Sequence, residues 1–405
     1  MDDPRTIARI YGLTMSRKAQ ARRAARIATF ADARRLARRR VPPVIFDYVD
    51  GAAEAEVTMR ANRAAFETIR FRPKMGRNTG TPKLATTVLG QPVEIPVLLS
   101  PVGGTRLVNN EGDLAGARAA AKAGTIFALS SMTAHTIEAV AAAADGPKWF
   151  QLYMIGGRAG AEQLVSRAHA AGYQALVVTM DSQISGFRER DIRHGLKFPI
   201  SLDARTLATL AVQLGPHPDW LLEYRKNDVG FDIANVVETP DGPIRSLGQA
   251  IGSMTEHTPT WDDVKWIRSL WKGPLLAKGI VSADDARQAV ASGVDGVIVS
   301  NHGGRQLDGL PSSLDALVTV LDAVGNDVEV LVDGGIRRGS DAVHAIALGA
   351  RAVMIGRPWV FALAQGQPGV DRMLEVFRTD IDRTLRLLGC ASVTELDRSY
   401  LTLPD

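Results

Sequence analysis

From residue 97 onward the chain repeats one pattern eight times: a short apolar, β-rich run ends in small or polar residues, and a helical stretch follows. The runs end at Pro101, Ser131, Tyr153, Asp181, Gly279, Asn301, Gly335 and Pro358. Near-continuous apolar strands are typical of a parallel sheet that is covered on both faces. Stretches such as GDLAGARAAAKAG and SADDARQAVASG start with acidic or Ser residues and stop at Gly, as helices do. Eight such units predict an α/β fold of the closed (β/α)8 TIM barrel type rather than an open sheet.

One connection is far longer than a strand–helix unit needs. It is an insertion after strand 4, at about residues 186–260, and insertions of this length are usually active-site lids or docking segments. Its stretch 201–226 combines an amphipathic pattern with exposed-looking aromatics, Trp220 and Tyr224, so a helix packed on the rim and a membrane-facing surface both stay open. Residues 27–75 are expected to cap the bottom or side of the barrel, and 371–388 to form a final helix. The chain is thus predicted as a basic arm, 1–26, followed by one barrel domain, 27–405.

The net charge of +4 owes much to one N-terminal segment. Its cations are Arg17, Lys18, Arg22, Arg23, Arg26, Arg34, Arg35, Arg38, Arg39 and Arg40, with only Asp32 against them. A solvated helical face or partly disordered arm is favoured, and attraction to anionic lipid is the alternative. No nucleic acid is expected, because no recognition motif or aromatic platform accompanies the charge.

The chain shows no apolar run long enough to span a membrane and no signal-peptide pattern. Its single cysteine, Cys390, excludes an internal disulfide and suits a reducing compartment. The expected location is therefore the cytoplasm, with peripheral contact to the inner face of the membrane as the open alternative.

Polar groups collect at the ends of the apolar runs, where barrels of this type carry function. They predict a large polar ligand bound across the barrel mouth. In DGGIRRG and IGRP, glycines allow backbone N–H groups to approach oxyanions while arginines fork onto them, which predicts a phosphate site. The motifs alone do not decide between a phosphorylated substrate and a phosphorylated cofactor.

SNHGGRQLD adds a candidate base, since a histidine can take a proton near neutral pH and an arginine can hold a carboxylate. The base is His302, the arginine is Arg305, and Asp181 could stabilise the protonated imidazole. The other histidines are expected to be structural or on the surface: His135, His169, His194, His217, His257 and His344. No cluster of ligands has metal spacing, so no metal is predicted.

These motifs resemble one family. FDYVDGAAE, FQLY, TMDSQISGFRERDIR, KGI, SNHGGRQLDG, DGGIRRGSD and ALGARAVMIGRP are similar to those of the FMN-dependent L-2-hydroxy acid oxidases and dehydrogenases, which include glycolate oxidase, L-lactate dehydrogenase and mandelate dehydrogenase. The likeness runs from about Arg34 to the C-terminal end. It implies an FMN cofactor and oxidation of a small L-2-hydroxy acid to the 2-keto acid, with lactate expected first and mandelate or longer aliphatic acids behind it.

The resemblance also assigns roles to residues. His302 would be the catalytic base with Asp181 as its partner, Arg305 and Arg188 would clamp the carboxylate, and Tyr48 and Tyr153 would hydrogen-bond the carboxylate and hydroxyl. Met132 would line the side-chain pocket. The FMN-binding residues would be Pro101, Val102 and Gly103 beside N5, Ser130, Gln151, Thr179, Lys278 and Ser300 around the ring, Asp333 at the ribityl chain, and Gly335, Arg337, Gly356 and Arg357 at the phosphate.

Some positions depart from parts of the family. Met132 replaces a tryptophan of several members, Gln183 and Phe187 differ from the plant enzyme, and Gly103 stands where oxidases often carry alanine. The smaller residue at Gly103 favours a dehydrogenase that passes electrons to a quinone, with an O2-using oxidase as the alternative. The resemblance further implies a homotetramer. Three other readings stay open at this point: an FMN-dependent isomerase, an enzyme acting on a peptide-derived redox cofactor like premycofactocin synthase, and a non-catalytic scaffold.

Overall fold

Eight parallel strands close into a barrel in the computed structural model, which describes residues 17–194, 212–226 and 232–403. Each strand pairs with its sequence neighbour, and the last pairs with the first. The strands are β1 (Val97–Leu99), β2 (Phe127–Ser130), β3 (Lys148–Leu152), β4 (Ala175–Thr179), β5 (Leu275–Ile280), β6 (Gly296–Val299), β7 (Glu329–Val332) and β8 (Ala352–Ile355). The predicted (β/α)8 barrel is confirmed.

Helices follow the strands around the outside of the barrel. They are α1 (Gly112–Ala123), α2 (Ile137–Ala141), α3 (Gly157–Ala170), α4 (Trp261–Leu270), α5 (Ala283–Ala291), α6 (Ser313–Val324), α7 (Gly339–Leu348) and α8 (Gly366–Leu388). Sequence signals explain their ends: the Ser282 and Ser312 hydroxyls cap α5 and α6, and Gly124 ends α1 in the left-handed conformation. The final helix begins at Gly366, earlier than the predicted Asp371.

Further elements precede the barrel, interrupt it or end the chain. The helices are Arg17–Ala24, Phe30–Arg40, Pro43–Asp50, Val57–Thr68, Glu189–Arg193, Pro218–Lys226, Leu247–Glu256 and Arg357–Leu363, with short 3-10 turns at Thr105–Leu107, Val393–Glu395 and Arg398–Tyr400. Arg70–Phe71 pairs with Leu401–Thr402, Thr86–Val88 with Gln91–Val93, and Asp232–Val237 with Ile244–Ser246, all antiparallel.

The barrel interior is filled by apolar side chains, and a hairpin closes its N-terminal end. The packed interior residues are Leu98, Ile126, Ala128, Trp149, Ala175, Val177, Leu276, Ile298, Leu331, Ala352 and Met354. Val88 and Val93 of the hairpin join this cluster, and the Trp149 indole donates to the Gln91 side chain at 3.0 Å. Ligands therefore reach the barrel from its C-terminal end.

The helix Pro43–Asp50 lies over that C-terminal mouth, so the expectation that residues 27–75 cap the bottom or side is wrong for this helix. Arg305 donates to the Tyr48 carbonyl at 2.6 Å and to the Gly51 carbonyl at 2.9 Å. Arg357 also donates to the Gly51 carbonyl, at 2.7 Å. The last carbonyls of a helix lack intrahelical partners and carry partial negative charge, so they attract arginines at the strand ends.

The insertion packs on the barrel rim where the structure describes it. Trp220 is buried, stacks on Tyr224 with ring centroids 4.9 Å apart, and donates its indole N–H to the Leu107 carbonyl at 2.7 Å. The interpretation of Trp220 as an exposed aromatic is therefore wrong. The rest of the amphipathic stretch, at 201–211, lies outside the described residues.

The basic N-terminal segment is partly built into the fold. Residues 1–16 lie outside the described part, whereas Arg17–Ala24 is a helix whose Ala24 is buried. Arg40 is buried and pairs with Glu223 at 2.6 Å, so this cation anchors the insertion. Among the described helices, none combines the length and apolar character that crossing a bilayer needs.

Candidate active site

A cavity opens where the strands end at the C-terminal face, and most of the sequence-predicted site residues line it. They are Tyr48, Pro101, Val102, Gly103, Ser130, Met132, Tyr153, Arg188, Lys278, His302, Arg305, Asp333, Gly335, Arg337, Gly356 and Arg357. Four predicted residues do not line the cavity but hydrogen-bond to lining residues or to one another. Gln151 bonds Ser130 and Thr179, Asp181 bonds His302, and Ser300 bonds Lys278.

One buried chain of side chains links the ends of β2, β3 and β4. The Ser130 hydroxyl donates to the side-chain oxygen Oε1 of Gln151 at 2.9 Å, and the side-chain Nε2 of Gln151 donates to Thr179 Oγ1 at 2.8 Å. All three residues are almost fully buried. Because each partner fixes the next, the amide of Gln151 has a defined orientation before any ligand binds.

A second group joins β5, β6 and β7. Lys278 Nζ donates to Ser300 Oγ at 2.8 Å, and Ser300 Oγ donates to Asp333 Oδ1 at 2.6 Å. Lys278 also pairs directly with Asp333 at 3.2 Å. The group places one ammonium beside one carboxylate in the cavity, and the hydroxyl of Ser300 hydrogen-bonds both of them.

His302 and Asp181 form the predicted pair. His302 Nδ1 lies 3.1 Å from Asp181 Oδ2, and the histidine backbone is left-handed with φ +57°. Enclosure would raise the pKa of Asp181, but the His302 and Lys278 charges and the His302 hydrogen bond hold that pKa below its ordinary value. A carboxylate on Nδ1 leaves Nε2 as the ring nitrogen that can accept a proton.

Two arginines and a tyrosine lie together on another side of the cavity. The guanidinium carbons of Arg305 and Arg188 lie 5.1 and 5.8 Å from the centroid of the Tyr48 ring. Asp191 holds Arg188 at 2.8 Å. Enclosure in the cavity wall and the neighbouring Arg188 charge lower the pKa of Arg305 to about 10. A small anion such as a carboxylate would relieve this excess of positive charge.

Tyr153 stays a neutral hydrogen-bonding group. Enclosure and the Asp181 charge both raise the pKa of its phenol well above the ordinary value. Its hydroxyl therefore keeps its proton at neutral pH and can donate a hydrogen bond to a ligand oxygen.

The end of the cavity at β7 and β8 carries unbalanced positive charge. Enclosure and Arg63 lower the pKa of Arg337 to about 10, and enclosure with Arg305 and Arg337 lowers the pKa of Arg357 well below its usual range. Gly335 has φ +79°, and a Cβ there would lie 2.1 Å from the Asn62 carbonyl oxygen, so only glycine fits. Arg357 directs its guanidinium to three backbone carbonyls, those of Val49, Gly51 and Gly303.

Comparison with known proteins gives the family. A family model described as FMN-dependent dehydrogenase matches residues 37–403. The chain belongs to the FMN-dependent dehydrogenase family. It is 42% identical over 376 residues to a putative L-lactate dehydrogenase of Mycobacterium tuberculosis (strain ATCC 25618 / H37Rv), covering 92% of this chain and 89% of that protein. It is 39% identical to (S)-mandelate dehydrogenase of Pseudomonas putida, covering 91% of this chain and 92% of that protein.

Comparison with solved structures leads to the same family. The crystal structure of the monotopic membrane protein (S)-mandelate dehydrogenase matches with a TM-score of 0.86 at 39% identity, covering 94% of this chain and all of that one. This FMN-dependent dehydrogenase is accordingly an oxidoreductase that acts on L-2-hydroxy acids. The predictions of the family, the cofactor and the reaction class are confirmed.

The residues present fit FMN. The cation-rich end at Arg337 and Arg357 suits a phosphate, since no carboxylate neutralises these side chains fully. The Ser100 hydroxyl, which lines the same cavity, is buried and finds no hydrogen-bond partner in the described part of the chain, so it can bind a polar ligand. The polar groups of Ser130 and Lys278 suit the heteroatoms of a flavin ring. Across the described residues, no group of His, Cys, Asp and Glu side chains has the arrangement of a metal site.

Several lining residues escaped the sequence reasoning. Gln306 donates to the carbonyls of Asp181 and Ile184 at 2.9 and 3.1 Å and so fixes the loop after β4. The insertion contributes apolar lining through Ile233, Leu247, Ile251 and Met254. The signal for the last three was present as an i, i+4, i+7 spacing in LGQAIGSMTE, but the pattern does not say which surface the helix faces.

Proposed function

We propose that His302 is the base of a 2-hydroxy acid dehydrogenase whose substrate carboxylate binds Arg305 and Arg188, and that the electrons pass to a membrane quinone. One observation carries the first part: a carboxylate-held histidine and a pair of anion-seeking arginines line the same cavity. This combination suits a substrate that carries a proton to be removed and a carboxylate on neighbouring atoms.

Each residue has a distinct task in this proposal. Arg305 and Arg188 fork onto the carboxylate, and the phenols of Tyr48 and Tyr153 hydrogen-bond the carboxylate and hydroxyl oxygens. His302 Nε2 takes a proton from the substrate. Asp181 stays ionised and stabilises the imidazolium that results.

The FMN site is proposed from the same geometry. Arg337, Gly335, Gly356 and the backbone near Arg357 would bind the phosphate, and Asp333 the ribityl chain. Lys278, Ser300, Ser130, Gln151 and Thr179 would fix the ring, either directly or by holding the residues that touch it, while Pro101, Val102 and Gly103 would border its reactive edge. When bound, FMN accepts the two electrons that leave the substrate.

Membrane association and a quinone acceptor rest on separate support. Ile184, Phe187 and Leu307 are exposed large apolar side chains, 66%, 60% and 61% accessible, and Ile184 also lines the cavity. The loops that carry them touch, since Gln306 donates to the Ile184 carbonyl. A similar protein of known structure is described as monotopic. An apolar rim beside the active-site opening suits an acceptor dissolved in lipid.

The acceptor is tested by reoxidation. The enzyme is reduced with an L-2-hydroxy acid without oxygen, and the recovery of flavin absorbance is timed after air or a soluble quinone is added. We expect rapid recovery with the quinone and slow recovery in air; rapid recovery in air makes the enzyme an oxidase and overturns the proposal.

Membrane contact is tested by sedimentation with anionic vesicles. Replacing Phe187 and Ile184 by serine should reduce the vesicle-bound fraction, whereas Leu387→Ser, a change of an equally exposed residue on α8, should not. Equal binding of the wild type and the double variant contradicts a role for this rim.

A further inference from the structure

Part of the cavity lining is apolar, and we call this part the side-chain chamber. Its walls come from three separate segments: the turn after β1, the loop after β2, and the insertion. The chamber residues are Leu107, Met132, Ala134, Ile233, Leu247, Ile251 and Met254.

The chamber begins beside the reacting centre. A Cβ on Gly103 would lie 3.1 Å from Met132 Cβ, and one on Gly104 would lie 3.4 Å from Leu107 Cδ1 and 3.5 Å from Tyr48 Cε1. Met132 is thus a neighbour of Gly103, and Leu107 and Tyr48 are both neighbours of Gly104. A substrate held by its carboxylate has the chamber next to its remaining substituent.

The helix Leu247–Glu256 presents one apolar face to the chamber and uses another to attach to the barrel. Leu247, Ile251 and Met254 recur at helical spacing and line the cavity, while Ala250 and Ser253 are buried. The Ser253 hydroxyl accepts the Gly156 N–H at 2.8 Å, and a capping box of Ser246 and Gln249 sets the start of the helix.

Two chamber residues are not part of the packed core that the described residues form. Leu247 and Ile251 are only half-buried and lie outside the packed core. A surface helix normally buries such a face against protein. Leu247 and Ile251 line the same cavity as Met132 and Leu107, so an apolar ligand group bound there would contact this face.

Two charged side chains of the described residues, Asp232 and Arg106, line the cavity near the chamber. Asp232 lines the cavity but is exposed at its rim, and it would repel a second carboxylate. Arg106 also lines the cavity, and its Nη1 reaches the Ala134 carbonyl at 3.4 Å. Arg106 is the group that could favour a dicarboxylic acid, so such acids belong in the test.

The geometry points to a substrate whose side chain is an aryl or medium-length alkyl group rather than the methyl of lactate. This inference rests on the proposed function and replaces the expectation of lactate as the preferred acid. Removing apolar area from water on both the ligand and the chamber walls supplies the selectivity.

The experiment uses the FMN-loaded enzyme without oxygen and follows flavin reduction by L-lactate, L-2-hydroxybutanoate, L-2-hydroxyhexanoate, L-mandelate and L-malate. The ratio of reduction rate constant to dissociation constant should rise by about fourfold for each buried methylene. Equal or better use of L-lactate, or preference for L-malate, overturns the inference. Failure of every acid to reduce the flavin contradicts the proposed function instead.

A binding measurement separates the chamber from the chemistry. Calorimetric titration with acetate, hexanoate and phenylacetate needs no turnover, and hexanoate and phenylacetate should bind more tightly than acetate. Equal binding of all three contradicts the chamber even if no acid is oxidised.

Substitutions in the helix Leu247–Glu256 test whether this helix sets the substrate preference. Ile251→Gln and Leu247→Gln should each lower the preference for L-2-hydroxyhexanoate over L-lactate by about tenfold, from the loss of apolar contact and the burial of an amide. Leu387→Gln, a matched change on an exposed apolar residue of α8, should leave that preference as in the wild type. An unchanged preference in both chamber variants overturns the inference.

Discussion

His302 has a positive φ, which is unusual for a residue other than glycine. Its φ of +57° lies in the left-handed region, and its N–H donates to Ser300 Oγ at 3.0 Å. Strain of this kind persists where the surroundings over-determine the position of a functional group. The conformation turns the imidazole towards Asp181, and the loop glycines Gly303 and Gly304, also at positive φ, allow the chain to leave again.

Replacing Asp181 by asparagine should slow flavin reduction by about 10²-fold, at the lower end of the effect of a general base. The amide keeps the size of the side chain but removes the negative charge that stabilises protonated His302. Stopped-flow absorbance with a saturating L-2-hydroxy acid measures the rate constant. Gln183→Asn, a change on a nearby exposed side chain, is the control. Wild-type reduction in Asp181→Asn contradicts the role of the pair.

At the scale of elements, Arg190 ties the helix Glu189–Arg193 to the helix Pro43–Asp50 and to Glu56. Arg190 pairs with Asp50 at 2.9 Å, with Glu56 at 2.6 Å and with Asp47 at 3.4 Å. These elements carry Tyr48 and Arg188, which meet in the cavity. Arg190 is therefore a positioning residue for the proposed carboxylate clamp.

Arg190→Met should weaken binding of the substrate acid by about tenfold, because small displacements of positioned groups cost affinity and rate. Binding of an inert carboxylate, measured by calorimetry, should weaken in parallel. Arg193→Met is the matched control, since Arg193 lies on the same short helix and pairs only with Glu189 in the described structure. If both variants behave alike, the effect of Arg190 is general destabilisation.

The buried carboxyl of Asp113 links helix α1 to the turn after β1 and to the loop after β2. Asp113 on α1 accepts hydrogen bonds from Thr105, in the turn after β1, and from Thr133, in the loop after β2. Burial raises the pKa of Asp113 from 3.8 to about 6 despite these hydrogen bonds. The folded protein therefore holds a proton there between pH 3.8 and about 6, where the unfolded chain has lost it.

This raised pKa predicts that stability from Asp113 falls as the pH rises through that window, by about 3 kcal/mol for a shift of roughly two units. Asp113→Asn removes the titration. The melting temperature of Asp113→Asn minus that of the wild type should increase as the pH rises from about 4.5 to about 7.5. A constant difference across this range contradicts the assignment.

The elements that the sequence predicted best are those fixed by local pattern. Near-continuous apolar strands and glycine stops predicted all eight barrel units. The strand-end motifs predicted that His302, Arg305 and Arg337 lie at the barrel mouth, where they line the cavity, and their roles stay predictions. The placement of Pro43–Asp50 over the mouth depends on Arg305 and Arg357, which contact it across more than two hundred residues of chain. No local pattern reports such contacts, and the same holds for the burial of Trp220.

At the scale of the whole molecule, cofactor binding and folding are coupled. The arginines at β7 and β8 are enclosed, nearby carboxylates offset their charge only in part, and enclosing a charge costs free energy. An anion that binds only the folded chain stabilises it, by about 2.7 kcal/mol at roughly 100 times its dissociation constant. The homotetramer expected from the resemblance and the cytoplasmic location expected from the sequence stay predictions.

The FMN-free protein should melt at a lower temperature than the FMN-loaded protein, and inorganic phosphate should restore part of the difference. Arg337→Met should reduce the effect of phosphate, whereas Arg338→Met, on the exposed neighbour, should not. Thermal melting with phosphate or chloride at equal ionic strength measures this. A gain from phosphate that is the same in Arg337→Met contradicts the proposed phosphate site.

The central claim is that His302 takes the substrate proton while Arg305 and Arg188 hold the carboxylate. The most direct test mixes the FMN-loaded wild type and His302→Ala with L-2-hydroxy acids in the absence of oxygen and follows the flavin absorbance. The account predicts rapid bleaching of the wild type by at least one L-acid, which also sets aside the isomerase, peptide-cofactor and scaffold readings. It predicts bleaching slower by about 10²–10⁴-fold or more in the variant. Bleaching of His302→Ala at the wild-type rate would contradict it.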